Sequence, residues 1–276
     1  MENNKKPFDG FIFNKALGQN FLSDKNLLDA ICVDAGIEKG DYVVEIGTGA
    51  GTLTEAILRA GAHVYTFEVD RRLEPLIQKN LADYSDYQLV FGDILNMKDA
   101  GFAQICPHSF KVVANLPYYV TTPLIMRFLE STLPCESLTL TVQKEVGERI
   151  CAKEGTPDYG AVTVSVQSYC DAAVTRIIDR RMFYPAPKVD SCILTLKNHN
   201  NKFGITDRDL FRKTVKAVFC ARRKTLENNL KSAFSLTKEQ CADILSSMDL
   251  PPMIRGEKLS VSQFKILADR ISEYRK

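Results

Sequence analysis

The chain has 276 residues, of which 45% are hydrophobic and 25% charged, with 36 Lys+Arg against 34 Asp+Glu. These are the proportions of an ordinary globular protein with one large or two unequal domains, not of a disordered or collagen-like one. No apolar run approaches the roughly 18 residues of a membrane span. Residues 1–10, MENNKKPFDG, are basic but lack the apolar core of a signal peptide, so a cytoplasmic protein with no membrane partner is expected.

In chain order, residues 41–46 (DYVVEI) form a short apolar run that ends in glycines, and TLTEAILRAG follows with helical spacing. Residues 63–69 (HVYTFEV) read as a strand and RRLEPLIQKNLADY as a helix. Residues 87–91 (YQLVF) and 110–114 (FKVVA) are further strands, TPLIMRFLES a helix, and 137–142 (SLTLTV) a fifth strand. Residues 161–170 and 191–196 are expected to extend the sheet. Strands alternating with helices imply an α/β fold with a mostly parallel sheet, helices on both faces.

After Asn198-His199-Asn200-Asn201 the pattern changes to helices alone. Thr206 or Asp207 can cap DLFRKTVKAVFC, Thr237 with Gln240 forms a capping-box pattern before KEQCADILSSM, and Ser260 or Ser262 opens QFKILADRISEYRK. The expected division is residues 1–200 and 201–276, the second a small all-α domain. Its charge differs from the rest. From Lys197 onward 17 Lys+Arg stand against 9 Asp+Glu, whereas residues 1–196 hold 19 against 25. A basic segment on an acidic body fits contact with a polyanion, although a Lys-rich solvated surface would look the same.

The eight cysteines include no CxxC pair, and the two nearest in sequence are 16 apart. Zinc sites need short local pairs, so no metal is expected and the cysteines read as reduced and mostly buried.

Glu45-Ile46-Gly47-Thr48-Gly49-Ala50-Gly51 joins a strand to a helix with GxGxG spacing, not the GxGxxG of dinucleotide folds. Such a loop can hold the amino-acid end of S-adenosylmethionine, or can be no more than a tight packing turn. Glu68 ends the second strand, where a carboxylate reaches ribose hydroxyls, with Asp70 a competing choice. Asp93 ends the third strand, where it can accept a bond from an adenine amine. Gly47, Glu68, Asp93 and Asn115 thus share the carboxyl edge of a parallel sheet, where ligands bind.

Asn115-Leu116-Pro117-Tyr118 ends the fourth strand. Proline fixes φ and restricts its predecessor, so the turn is stiff and the Asn115 side chain and Leu116 carbonyl can converge on one target. Two acceptors gripping the hydrogens of an exocyclic amine favour a pyramidal nitrogen whose lone pair can attack a methyl group. That chemistry needs orientation rather than a strong base or a cysteine nucleophile. Tyr118 can stack on a base that has left its helix.

Together these elements resemble amino-directed methyltransferases. Leu17-Gly18-Gln19-Asn20-Phe21-Leu22 resembles the GQNFL segment of the rRNA adenine N6-dimethyltransferase family. Residues 183–191 (FYPAPKVDS) resemble its FxPxPxVxS element, and residues 222–230 (RRKTLENNL) and 255–260 (RGEKLS) its C-terminal markers. The branch matched is the bacterial small-subunit (16S) one. The resemblance implies a Rossmann-like class I methyltransferase fold with a seven-stranded sheet, core from about residue 16. It also implies S-adenosylmethionine as cofactor and 16S rRNA in the small (30S) subunit as partner, two adjacent adenosines in a hairpin near its 3′ end being dimethylated. Asn20, Leu22, Gly47, Gly49, Glu68, Asp93 and Asn115 would line the cofactor site. Asn115, Leu116, Pro117 and Tyr118 would hold the target amine and base, and Phe183 would close the base's other face.

Arg222, Arg223 and Lys224 read as a helical cluster that tracks RNA phosphates, with Lys188, Lys5 and Lys6 as further candidates. Thr48 stands where the family often has a larger residue, and Gly256 where it commonly has alanine. A monomer is expected. Rival readings are the sister enzyme that methylates 23S rRNA, a non-catalytic RNA-binding assembly factor, and an NAD-dependent dehydrogenase, which the GxGxG spacing disfavours.

Overall fold

The computed structural model describes residues 20–274. The chain forms two compact units. Of the described residues, one comprises 20–147 and 172–198, the other 148–171 and 199–274. The second unit therefore includes a stretch, residues 148–171, that the expected boundary at 200 assigned to the first.

The first unit is built on a seven-stranded sheet. Its members are β2 (Tyr42–Ile46), β3 (His63–Glu68), β4 (Tyr87–Phe91), β5 (Phe110–Asn115), β6 (Cys135–Gln143), β7 (Cys170–Ile178) and β9 (Ser191–Asn198), in the order β4-β3-β2-β5-β6-β9-β7. A separate antiparallel pair joins β1 (Phe21–Leu22) to β8 (Phe183–Tyr184), with Leu22 opposite Phe183. The pairs β3–β4, β2–β3, β2–β5 and β5–β6 are parallel, and β6–β9 is antiparallel. Val43, Val44, Val112 and Val113 are fully buried, as expected of central parallel strands covered on both faces.

The connecting helices are α1 (Lys25–Asp34), α2 (Thr52–Arg59), α3 (Glu74–Asn80), α4 (Asp99–Ile105) and α5 (Thr121–Leu129). Helix α6 (Lys144–Ile150) follows β6 directly. The order reverses between β2 and β5, so β3 and β5 flank β2 and a crevice opens beyond its carboxyl end.

The stretch 161–170, expected to extend the sheet, is instead helix α7 (Ala161–Gln167), and strand β7 begins only at Cys170. Local β preference yields here to tertiary contact. The Thr163 hydroxyl donates to the Arg149 carbonyl and accepts from the Gly160 N–H, while Val164 enters the core of the second unit.

That second core packs α8 (Arg208–Cys220), α9 (Leu226–Phe234), α10 (Lys238–Ser247) and α11 (Val261–Glu273) around Phe211, Val215, Leu230, Ile244, Phe264 and Ile271. The expected caps resolve to Asp207 and Ser260, and Thr237 with Gln240 forms the reciprocal capping box. A short 3₁₀ turn, Gly256–Lys258, packs on α8 so closely that a Cβ at Gly256 would lie 1.9 Å from Val218 Cγ1.

Valine has little freedom to yield there. Gly256→Ala should therefore cost about 1–3 kcal/mol of stability by overpacking, read from urea denaturation. Combined with Val218→Ala, it should cost less than the two single changes summed.

Candidate active site

At the carboxyl end of β2 the chain turns through three glycines with positive φ, Gly47 (83°), Gly49 (57°) and Gly51 (80°). At each of these the missing side chain also makes room, at Gly51 for Leu81. A Cβ at Gly47 would lie 2.7 Å from Leu116 Cδ2, and one at Gly49 would lie 3.2 Å from Phe21 Cε1. Glycine thus lets the loop, the Asn115–Tyr118 turn and the β1 segment converge.

Glu68, the last residue of β3, ties these parts together. Its Oε2 accepts from the Gly49 N–H at 2.9 Å, and its Oε1 accepts from the N–H groups of Val69 and Asp70 at 2.8 Å each. Burial pushes its carboxyl pKa upward, and the three backbone donors oppose that. Asp70, the competing choice, caps the next turn and pairs with Arg72 instead. Asp93 behaves likewise at the end of β4, accepting from the Leu95 N–H and the Asn96 side chain while staying exposed.

Asn115 ends β5. Its Nδ2 donates to the Asn20 carbonyl at 3.1 Å. That bond assigns the amide's orientation and leaves Oδ1 as an acceptor beside the cavity. The Asn20–Leu22 segment is held in turn by Thr52, whose hydroxyl donates to the Leu22 carbonyl at 2.8 Å. Pro117 has φ −54°, and a short 3₁₀ turn, Tyr118–Val120, follows it.

The resulting cavity measures about 530 Å³, within the usual range for small-molecule and cofactor sites. Asn20, Leu22, Gly47, Gly49, Glu68, Asp93, Asn115, Leu116 and Pro117 all line it. Tyr118 and Phe183 do not. The Tyr118 phenol is turned to the Ser191 hydroxyl at 2.8 Å. Phe183 is 4% exposed, within a cluster that also holds Phe21 and Leu22. A residue the sequence reading passed over, Tyr119, lines the cavity and is 67% exposed. Only its position beside the proline turn could have drawn notice to it.

Beneath the loop lies a second carboxyl. Glu45 is fully buried, its Oε2 accepting from the Thr54 and Thr66 hydroxyls, and its Oε1 is without a hydrogen-bond partner. Thr66 also meets the Thr48 hydroxyl at 2.6 Å, so Thr48 links the loop to this buried cluster. Burial pushes Glu45 up to about 7, against the pull of the two threonines.

In the second unit, Arg222, Arg223 and Lys224 are exposed but occupy the turn between α8 and α9, not a helix as expected. Arg222 donates to the carbonyls of Pro157 and Tyr159 and pairs with Glu257 at 3.5 Å. It therefore clamps the 157–159 loop. Lys5, Lys6, Leu17, Gly18 and Gln19 lie outside the described residues. Among the described residues, no group of three or more His, Cys, Asp or Glu could hold a metal ion, and no helix is long and apolar enough to cross a membrane. Six of the eight cysteines are buried, Cys151 is half-buried and Cys220 exposed.

A sequence model described as ribosomal RNA adenine dimethylase matches residues 10–267. The chain is 40% identical over 265 residues to ribosomal RNA small subunit methyltransferase A of Clostridioides difficile (strain 630), covering 95% of this chain and 92% of the relative. It is 41% identical over 271 residues to the protein of that name from Streptococcus agalactiae serotype V, covering 96% and 93%. Among solved structures, a dimethyladenosine transferase from Plasmodium falciparum superposes with a TM-score of 0.78 at 27% identity, over 90% of this chain and 95% of that one. The 23S rRNA methyltransferase ErmE shares the fold, with a TM-score of 0.70 at 23% identity over 92% and 100%.

The buried carboxyl generates a pH dependence. Glu45 has a pKa of about 7 in the fold against an ordinary 4.5, so the unfolded chain releases the proton first as pH rises. Its contribution to stability is complete below 4.5 and is lost as pH rises to about 7. Wild type should lose more stability than Glu45→Gln between about pH 5 and about pH 8, measured by urea denaturation. Parallel losses would contradict this.

Proposed function

The chain belongs to the ribosomal RNA adenine dimethylase family, and from that premise we infer its reaction. It transfers methyl groups from S-adenosylmethionine to the N6 amines of two adjacent adenosines in a hairpin near the 3′ end of 16S rRNA. Its substrate in this reading is the assembling small (30S) subunit in the cytoplasm. We propose that it acts as a monomer. The observation that carries the reading is the orientation of Asn115, whose Nδ2 is spent on the Asn20 carbonyl while Oδ1 remains an acceptor beside the cavity.

The residues present fit the cofactor. Gly47 and Gly49 line the cavity together with Asn20 and Leu22, where a glycine loop can hold the cofactor's amino-acid moiety. Glu68 Oε2 accepts a single backbone N–H and keeps a second lone pair for a ribose hydroxyl, and Asp93 lies at the strand end suited to an adenine amine. When bound, S-adenosylmethionine supplies a methyl group on a positively charged sulfur, already activated to leave.

The chain's own groups do the rest. Asn115 Oδ1 and the Leu116 carbonyl accept the N–H groups of the target amine. That draws the nitrogen toward pyramidal geometry and frees its lone pair from the ring. Neither acceptor is a base at neutral pH, so the proton leaves to water once the new N–C bond has formed. Catalysis then rests on orientation and on oxygen dipoles facing the positive charge that develops on nitrogen. Tyr118 and Phe183 are proposed to hold the extruded base, a contact of about 1–3 kcal/mol per stacking face. Phe183 would have to become accessible for this.

Asn115→Ala should lower kcat about a hundredfold, the usual cost of losing one oriented polar partner of a transition state. Affinity for S-adenosylmethionine should stay within a few-fold, measured by calorimetry. Unchanged turnover on undermethylated small subunits would remove Asn115 from the mechanism.

The basic turn is proposed to meet RNA phosphates through Arg223 and Lys224, with Arg222 serving the loop it clamps. Neutralising Arg223 and Lys224 should flatten the log–log salt dependence of RNA binding by about 1–2 units. Arg222→Ala should instead lower the melting temperature. An unaltered salt slope would return the pair to a solvated surface.

A further inference from the structure

Tyr118 is held at two points. Its backbone follows Pro117 in a short 3₁₀ turn, and its phenol meets Ser191 Oγ at 2.8 Å, 73 residues away in sequence. Ser191 is the first residue of β9, pairs in register with Gln143 of β6, and is fully buried. Its hydroxyl is therefore a fixed point of the sheet. A tyrosine ring has two side-chain torsions, and anchoring both ends of the residue removes that freedom.

The segment that delivers Ser191 is itself braced. The Asp190 carboxylate accepts from the Arg180 N–H at 3.1 Å, and the Arg180 guanidinium donates to the Lys188 carbonyl at 3.1 Å. The Asp190 carbonyl accepts from the Lys144 N–H at 3.1 Å. Phe183 lies within this same braced stretch.

We propose that Ser191 is a positioning residue for methyl transfer. Its hydroxyl, bonded to the Tyr118 phenol, fixes the ring on which the extruded base stacks and ties the turn bearing Tyr118 to the segment bearing Phe183. This rests on the reading of the site as an adenine N6-methyltransferase. Burial also pushes the Tyr118 phenol pKa upward, so the phenol stays protonated at neutral pH and the bond persists under working conditions.

The proposal predicts a signature that a packing role lacks. Ser191→Ala should lower kcat about tenfold, since misplacement of a positioning group by a fraction of an ångström is costly. Its affinity for S-adenosylmethionine and its KM for small subunits should stay within twofold. Tyr118→Phe removes only the phenol oxygen and should show the same loss. The double variant should be no slower than either single one, because both delete the same bond.

The experiment uses the full chain, undermethylated small subunits and methyl-labelled S-adenosylmethionine, with folding checked by circular dichroism. Wild-type turnover in Ser191→Ala, or losses that multiply in the double variant, would overturn the proposal. If Ser191→Ala fails to fold, Tyr118→Phe decides alone, and wild-type turnover there would overturn it. A wild-type chain that places no methyl on adenine N6 would instead overturn the underlying reading.

Discussion

Glu68 joins two strand ends at the point where the cavity forms. Its two carboxylate oxygens accept three backbone N–H groups, one from the glycine loop after β2 and two from the turn after β3. A buried carboxylate is costly unless such donors surround it. Here they tie the glycine loop after β2 to the turn after β3, two segments that line the cavity. The loop's glycines then admit Leu116 on one side and Phe21 on the other. Without that close approach, the Asn115 amide would not meet the Asn20 carbonyl, and its oxygen would have no assigned direction.

Much of this was legible in the amino-acid sequence, for physical reasons. Strand-end residues of a parallel sheet share one edge whatever the tertiary detail, so Gly47, Glu68, Asp93 and Asn115 could be grouped from periodicity alone. Local capping chemistry identified Thr237 with Gln240 in the same way. What could not be read depends on distant contacts. The alternating valines of residues 161–167 mimic a strand, and only the Arg149 carbonyl and the second unit's core make them a helix. That Glu68 lines the cavity while the Asp70 carboxylate is held by Arg72 is likewise a matter of three-dimensional contact. The Tyr118–Ser191 bond spans 73 residues, and no local pattern announces it.

The basic cluster shows how composition can mislead about individual residues. Charge counts treat Arg222, Arg223 and Lys224 alike. Yet Arg222 holds two carbonyls and Glu257 within its own unit. Its guanidinium is suited to such a fork of acceptors, which makes it a structural clamp at least as much as a surface charge. Gly256, where a Cβ would strike Val218, similarly ties a recognisable motif to packing rather than to a ligand.

We propose that two oxygen acceptors on a stiff proline turn direct a methyl group to an exocyclic adenine nitrogen. Mass spectrometric mapping of 16S rRNA, after the purified chain has acted on undermethylated small subunits, tests it most directly. N6,N6-dimethyladenosine is expected at two neighbouring positions of one hairpin. Methyl groups on a ring carbon, a ring nitrogen or a ribose oxygen would contradict it.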